Sequence, residues 1–375
     1  MPTRRLPEAS RTEARFHELD ALRGLAATIV VLDHFSSLWP WEAKPAWLRG
    51  ILASPLGLLV SGHEAVILFF LISGFVLTLP YLRPAAPGYF VFLVKRAFRI
   101  YVPYLAALLL AVLGDAQLHG HVPGLAPWVD RTWPGPVDWK LFWQHVGLLG
   151  DYNYWRFNGA FWTLIYEMRI SIIFPALCLL TAKLRLRWSI ALAVGLSISA
   201  QVLTNLAGAG NWFRTLHYTA IFVAGSLLVR NLESITNWYS RLDRLGRVSL
   251  GLSAGLLLVY GRQLDAAVVA GVRMEDWGVA AGAMGVMVIS LHAIRARRWL
   301  NLPALQGLGR ISYSLYLVHV PVLFALLLGF HGRLPLAPFF LAYLSLSLGL
   351  AAVFYRFVEA PAMQAGRKLA GLLAA

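Results

Sequence analysis

The chain has 375 residues, of which 58% are hydrophobic and only 14% charged, and its mean hydropathy is +0.63. Charged residues make up ~25% of an ordinary soluble domain, so this composition cannot coat two or three water-soluble cores, and it equally excludes a disordered or collagen-like chain. One cysteine, Cys178, excludes a disulfide framework and a multi-cysteine metal site, and the net charge of +15 sits in breaks between apolar runs, which argues against nucleic acid as a partner.

The fold class that remains is an all-α polytopic membrane protein. A spanning helix needs about 20 predominantly apolar residues. Ten candidate segments occur, near residues 19–38, 57–80, 100–114, 160–182, 189–206, 216–230, 247–262, 277–294, 311–330 and 336–358, of which the third, sixth and seventh are short. Residues 1–18 are polar and Arg-containing, with no signal-peptide pattern, and read as a cytoplasmic N-terminal segment. Residues 19–358 read as one transmembrane domain and 359–375 as a cytoplasmic C-terminal tail.

The breaks alternate in basic charge. One side carries 23 Lys and Arg, including Arg4, Arg5, Arg11, Arg15 and Arg23 before or early in the first segment, and Lys95, Arg96 and Arg99 before the third. The other side carries 9, among them Lys44, Arg49, Arg262 and Arg273, and Arg169 falls inside the fourth segment. The positive-inside rule places both termini in the cytoplasm, as an even number of spans requires. One outer break, about 115–159, holds Trp128, Trp133, Trp139, Trp143, Tyr152, Tyr154 and Trp155. It suits an interfacial aromatic belt on a re-entrant or amphipathic segment, or a platform that stacks a sugar ring.

Ionisable groups at membrane depth are costly and therefore functional candidates. The first segment offers Asp20, Arg23, Asp33 and His34. Arg23 and His34 are eleven residues apart, which leaves them within about 20° on one helix face and roughly 16 Å apart along the axis. Arg23 then sits near the cytoplasmic entrance and His34 in the outer half. Asp33 points about 100° away, suited to a local cap or pair. Glu167, in the fourth segment, lies at a similar depth to His34, so the two can meet; an ion pair of Glu167 with Arg169 or Arg23 is the structural alternative. Arg96 and Arg99, at i and i+3, suit a phosphate clamp or a headgroup-binding, topogenic cluster. His319 lies about eight residues into the ninth segment, nearer the cytoplasm. His63 and Glu64, at the outer end of the second, suit an acceptor mouth.

These residues fall in a familiar order. Leu19-Asp20-Ala21-Leu22-Arg23-Gly24 followed by His34 resembles the Arg-x10-His signature of the acyltransferase-3 family of integral membrane acyltransferases. Phe69-Phe70-Leu71-Ile72-Ser73-Gly74-Phe75, Arg96-Ala97-Phe98-Arg99-Ile100-Tyr101-Val102-Pro103, the Phe161-Trp162-Thr163-Leu164 block running to Glu167 and Pro175, Ser312 through His319, and Val358-Glu359-Ala360-Pro361 are similar to its other motifs. The resemblance spans about residues 18–361. It implies transfer of an acyl group, most often acetyl, from cytosolic acyl-CoA to a glycan or glycolipid hydroxyl, in a bacterial inner membrane, with no bound cofactor and no metal. O-antigen, capsular and lipid-linked glycans are all candidate acceptors, and glycan-assembly proteins candidate partners.

By that resemblance Arg23 and His34 are essential, with Arg96 and Arg99 on the donor side. His34 serves as general base or as acyl carrier, and Glu167 orients it or binds acceptor. Asp20, Ser73, Tyr166, His319 and Trp162 are further candidates for acceptor contact or support; Ser73 equally suits helix packing. The chain ends shortly after its last span, so the C-terminal hydrolase-like domain of many relatives is not expected. A transporter of glycans or lipids is the competing class. It predicts inverted repeats and broken helices, of which the sequence shows neither.

Overall fold

A computed structural model describes residues 16–207, 211–265, 268–269, 272–273, 276–330 and 332–374. The basic residues Arg4, Arg5, Arg11 and Arg15 lie outside them, and so does most of the expected N-terminal segment. The described chain is helical: α1 (His17–Ser36), α2 (Ala46–Leu52), α3 (Gly62–Thr78), α4 (Tyr89–Arg96), α5 (Val102–Leu118), α6 (Trp139–Gly147), α7 (Trp162–Lys183) and α8 (Leu186–Ala207) make its first half. The second half holds α9 (Asn211–Arg230), α10 (Leu232–Arg241), α11 (Arg244–Asp265), α12 (Trp277–His292), α13 (Ile294–Leu300), α14 (Pro303–Phe330), α15 (Leu336–Phe354) and α16 (Ala360–Leu372). The exception is a two-stranded ribbon, β1 (Val268–Val269) antiparallel to β2 (Val272–Arg273).

A helix forms at each of the ten expected places. Among the described residues, six stretches are long and apolar enough to cross a bilayer: Gly62–Leu82, Tyr89–Leu118, Gly159–Lys183, Leu186–Ala207, Pro303–Phe330 and Leu336–Leu372, with mean hydropathy 1.7 to 2.3. The pair α12–α13, bent by 89°, makes a seventh if taken as one broken span. The protein is a multi-pass membrane protein. Helices α1, α9 and α11 are of similar length, 20 to 22 residues, but more polar.

For α1, position in the bundle explains that polarity. α1 packs against α14 and α3, and its Leu19, Ala21, Ala26, Ala27, Val30 and Val31 are all buried. α14 is the most enclosed of the apolar stretches, with 83% of its best window buried, whereas α8 shows 17%. Charged side chains at membrane depth are tolerable only when they face protein or a water-filled cavity. The α1–α14 pair in the bundle centre supplies both.

The two helices touch through glycine. A Cβ on Gly24 would lie 2.6 Å from Gly309 N and 2.8 Å from Leu308 C, and one on Gly309 would run into the Asp20 carbonyl oxygen. Only glycine permits that approach. From this crossing His34 lies ten residues further along α1, and His319 ten residues further along α14. Equal offsets of about 15 Å at 1.5 Å per residue bring the two imidazoles to one level. Gly74 plays the same part between α3 and α9, where a Cβ would strike the Phe222 carbonyl oxygen.

The long segment between α5 and α7, expected on the outer side, is folded against the bundle. Trp133 is 1% exposed and donates to Phe157 O at 3.0 Å. Arg156 pairs with the buried Asp115 at 2.8 Å. Trp128 Nε1 donates to Ser37 O, and Ala126 N to Leu38 O, both at 2.8 Å, which docks the segment on the end of α1. Trp139 and Trp143, one turn apart on α6, point outward as interfacial anchors do. The C-terminal residues expected as a tail form α16, which packs on α4.

Candidate active site

Two cavities meet at Arg23 and Ser73. The larger, about 580 Å³, is lined by Lys95, Arg96, Arg99, Arg310 and Arg367 together with Arg23 and Asp20. Six cations around one basin are a site for several anionic groups. The second is a narrow throat among Phe69, Phe70, Leu164, Glu167, Tyr313 and Tyr316. Arg23 stands at the junction, and its Nε is buried without a hydrogen-bond partner among the described residues. A buried guanidinium N–H left unpaired costs about 1–3 kcal/mol, so a ligand atom is its natural complement.

Beyond the throat lies a histidine pair. Tyr316, the last wall of the throat, has its ring 5.9 Å from that of His319. The His319 and His34 rings are 4.9 Å apart, with His319 Nε2 3.4 Å from His34 Nδ1. His34 Nδ1 also lies 2.9 Å from Val30 O, and His319 Nδ1 lies 3.1 Å from Leu315 O. Carbonyl oxygens only accept, so both rings carry their proton on Nδ1. His34 Nδ1–H is shared between Val30 O and His319 Nε2, which leaves His34 Nε2 as a lone pair. Trp128 covers the pair edge-on, 5.8 Å from His34.

The walls of the basin are pinned by ion pairs between distant segments. Arg96 donates to Glu167 Oε1 at 2.8 Å and to Ser171 Oγ at 3.1 Å. Arg99 donates at 2.9 Å to Glu359 Oε1, on a residue that is fully buried, and Ser314 donates to its other oxygen at 2.6 Å. Arg99 lies in a widened π-turn, Ala97–Tyr101, and Glu359 in a second, Tyr355–Glu359. Each turn is followed, after one intervening residue, by proline. Pro103 has no N–H for the Arg99 carbonyl and crowds it, and Pro361 does the same to Phe357. π-turns of this kind recur at functional sites. Tyr313 closes the first by donating to Ile100 O at 2.8 Å.

A family model described as an acyltransferase domain matches residues 16–356. The chain belongs to the acyltransferase-3 family. It is 25% identical over 366 residues to O-acetyltransferase PaAT-1 of Phomopsis amygdali, covering 81% of this chain and 71% of that protein. It is 22% identical over 383 residues to nodulation protein 10 of Rhizobium leguminosarum bv. viciae, covering 96% of each. No solved structure matches the chain.

The acyltransferase-3 motifs, scattered along the sequence, converge on these cavities. Arg23, Ser73, Arg96, Arg99, Asp20 and Glu167 all line one or both. Three expectations need correction. Glu167 does not approach His34; its partner is Arg96, and neither Arg23 nor Arg169 takes that place. Arg169 instead donates to Leu149 O and Gly150 O and stands 3.7 Å over the Trp212 ring, tying the segment before α7 to α7 and α9. His319 is not near the start of its helix: α14 begins at Pro303, so His319 is sixteen residues in, level with His34. Trp162 and Tyr166 line neither cavity and pack around Tyr218, at 5.8 and 4.8 Å between ring centres.

Sequence reasoning missed Glu359 as the counter-ion of Arg99, Trp128 as the cover of His34, and Arg310 and Arg367 as basin cations. It also missed Thr163, which holds the Tyr316 hydroxyl at 2.7 Å. His63 and Glu64 line a separate pocket, with Asp33 and Arg262.

Proposed function

We propose that this acyltransferase is a membrane O-acyltransferase that moves an acyl group, acetyl by preference, from cytosolic acyl-CoA to a hydroxyl of a glycan or glycolipid. In this reading ten helices cross a bacterial inner membrane and both termini face the cytoplasm. The O-acetyltransferase name of one relative supports the acetyl group. The observation that carries the reading is the chain of contacts from basin to base: the six-cation basin and the throat share Arg23 and Ser73, and Tyr316 of the throat lies 5.9 Å from His319, which contacts His34.

CoA phosphates sit among Lys95, Arg96, Arg99, Arg310 and Arg367, and Arg23 Nε takes an oxygen of the donor at the neck. The pantetheine arm follows the apolar throat, and Tyr316 yields to let the thioester reach His34. His34 Nε2 takes the proton of the acceptor hydroxyl while its oxygen attacks the thioester carbonyl. The carbon–sulfur bond breaks, and the departing thiolate recovers the proton from the imidazolium. The products are an ester and free CoA. His319 Nε2, facing His34 Nδ1–H, holds the ring in the tautomer that leaves Nε2 free and steadies the imidazolium as it forms.

The donor half of this reading is tested by binding of labelled acetyl-CoA to membranes. Arg310→Gln with Arg367→Gln removes two basin cations that are in no ion pair among the described residues. The expected result is a Kd about tenfold higher at unchanged protein level, the loss of two partly exposed charge-assisted contacts. An unchanged Kd would contradict it.

A further inference from the structure

A third cavity, of about 310 Å³, lies at the end of α1 remote from the basic basin. Asp33 of α1, Ser54 and Ser61 of the connecting turns, Glu64 of α3 and Arg262 of α11 line it. Its volume is at the lower end of the ~300–1,000 Å³ typical of small-molecule sites, room for one ring rather than an oligomer.

Glu64 is the unusual member. It is 7% exposed, lines the cavity, and makes no hydrogen bond among the described residues. Among the described residues its ion-pair partner is Arg262, with Nε at 3.9 Å, beyond hydrogen-bond reach, on a side chain that is 62% exposed. A buried carboxylate without donors is costly, so the fold leaves Glu64 waiting for them. Asp33 accepts from the Gly62 N–H and offers its remaining lone pairs beside it.

His63 does not supply the missing donor. Its Nε2 lies 2.5 Å from Asp276 Oδ1, and Asp276 also holds His217 Nε2 at 3.2 Å. Of the lining cations, His63 is already neutralised by Asp276, so the two carboxylates outnumber the exposed Arg262, which disfavours an anion. No group of three His, Cys, Asp or Glu among the described residues suits a metal ion. What fits two acceptor-only groups, two serine hydroxyls and one flanking cation is a neutral ring bearing several hydroxyls, since each hydroxyl both donates and accepts.

We propose that this pocket binds one neutral sugar ring of the acceptor, with Glu64 and Asp33 accepting from adjacent hydroxyls. Asp33 directly precedes His34, so the pocket and the proposed base share one turn of α1. The donor then enters at one end of α1 and the acceptor at the other. This rests on the acyl-transfer reading for its role, though not for the binding itself.

The test uses the full chain purified in detergent with Ser61→Cys, whose thiol is read by a maleimide; the native Cys178 is buried. Neutral methyl glycosides and the matching uronates are the probes, and labelled acetyl-CoA binding is measured on the same samples. At several times Kd, a neutral glycoside should slow labelling in proportion to the free fraction, about fivefold. Uronates should protect less. Glu64→Gln should remove the protection while acetyl-CoA binding stays intact. Labelling rates unchanged by every glycoside, or protection that survives Glu64→Gln combined with Asp33→Asn, would overturn the proposal. Protection in a chain that binds no acetyl-CoA would sustain the sugar pocket and overturn the acyl-transfer reading instead.

Discussion

Replacing Gly24 by alanine should disable the enzyme without touching any chemical group. The added methyl would lie 2.6 Å from Gly309 N and 2.8 Å from Leu308 C, where ordinary contact begins near 3.4 Å. Both obstacles are backbone, so no rotamer change relieves them, and α1 and α14 must part by about 0.8 Å, the difference between 3.4 and 2.6 Å. Overpacking of this size costs about 1–3 kcal/mol of stability. Its larger effect falls on His34 and His319, which sit at 3.4 Å across the same pair of helices. A misplacement near 1 Å in a reacting constellation costs roughly 100-fold in rate. The assay is acyl transfer at matched protein level, with acetyl-CoA binding measured alongside. Gly349→Ala is the control, because nothing lies within 4 Å of a Cβ there. Transfer by Gly24→Ala within about threefold of wild type would refute the claim that this crossing sets the histidine geometry.

Glu359→Gln keeps the side-chain volume and removes the charge that Arg99 and Ser314 address, so the detergent-solubilised protein should lose about 2–3 kcal/mol of stability, visible as a lower Tm; an unchanged Tm would show that the pair contributes nothing. His145, in α6 outside the spans, is fully buried, and burial pushes its imidazole down to about 4. The unfolded chain, with an ordinary histidine near 6.5, therefore takes up the proton first as pH falls. Stability contributed at neutral pH should decline below about pH 6.5, by about 2 kcal/mol at pH 5, and His145→Gln should flatten that part of the Tm profile between pH 7 and 5.

The helical plan was legible because apolar runs of spanning length and alternating basic breaks are properties of the sequence itself. The shared face of Arg23 and His34 was legible for the same reason, since it depends only on helical period. Pairings across the bundle were not. Glu167 and Arg96 are 71 residues apart, and Arg99 and Glu359 are 260, and no local rule chooses between Arg23, Arg96 and Arg169 as the partner of Glu167. The depth of His319 was misjudged because Pro303 through Arg310 reads as a polar break, yet proline is at home in the first turn of a helix and the run is helical. Aromatic content likewise could not separate the buried Trp133 from the outward Trp143 in one outer segment. Pro103 and Pro361 were visible throughout, but their effect on Arg99 and Glu359 needs two helices seen side by side.

The central claim is that His34 Nε2 is the base of an acyl transfer fed from the basic basin. Membranes holding the wild-type chain, or His34→Ala at matched level, should be supplied with acetyl-CoA labelled in the acetyl group, and the glycan and lipid fractions counted. The account predicts label in one of those fractions with wild type, none above background with His34→Ala, and equal acetyl-CoA binding by both. Undiminished transfer by His34→Ala would contradict it.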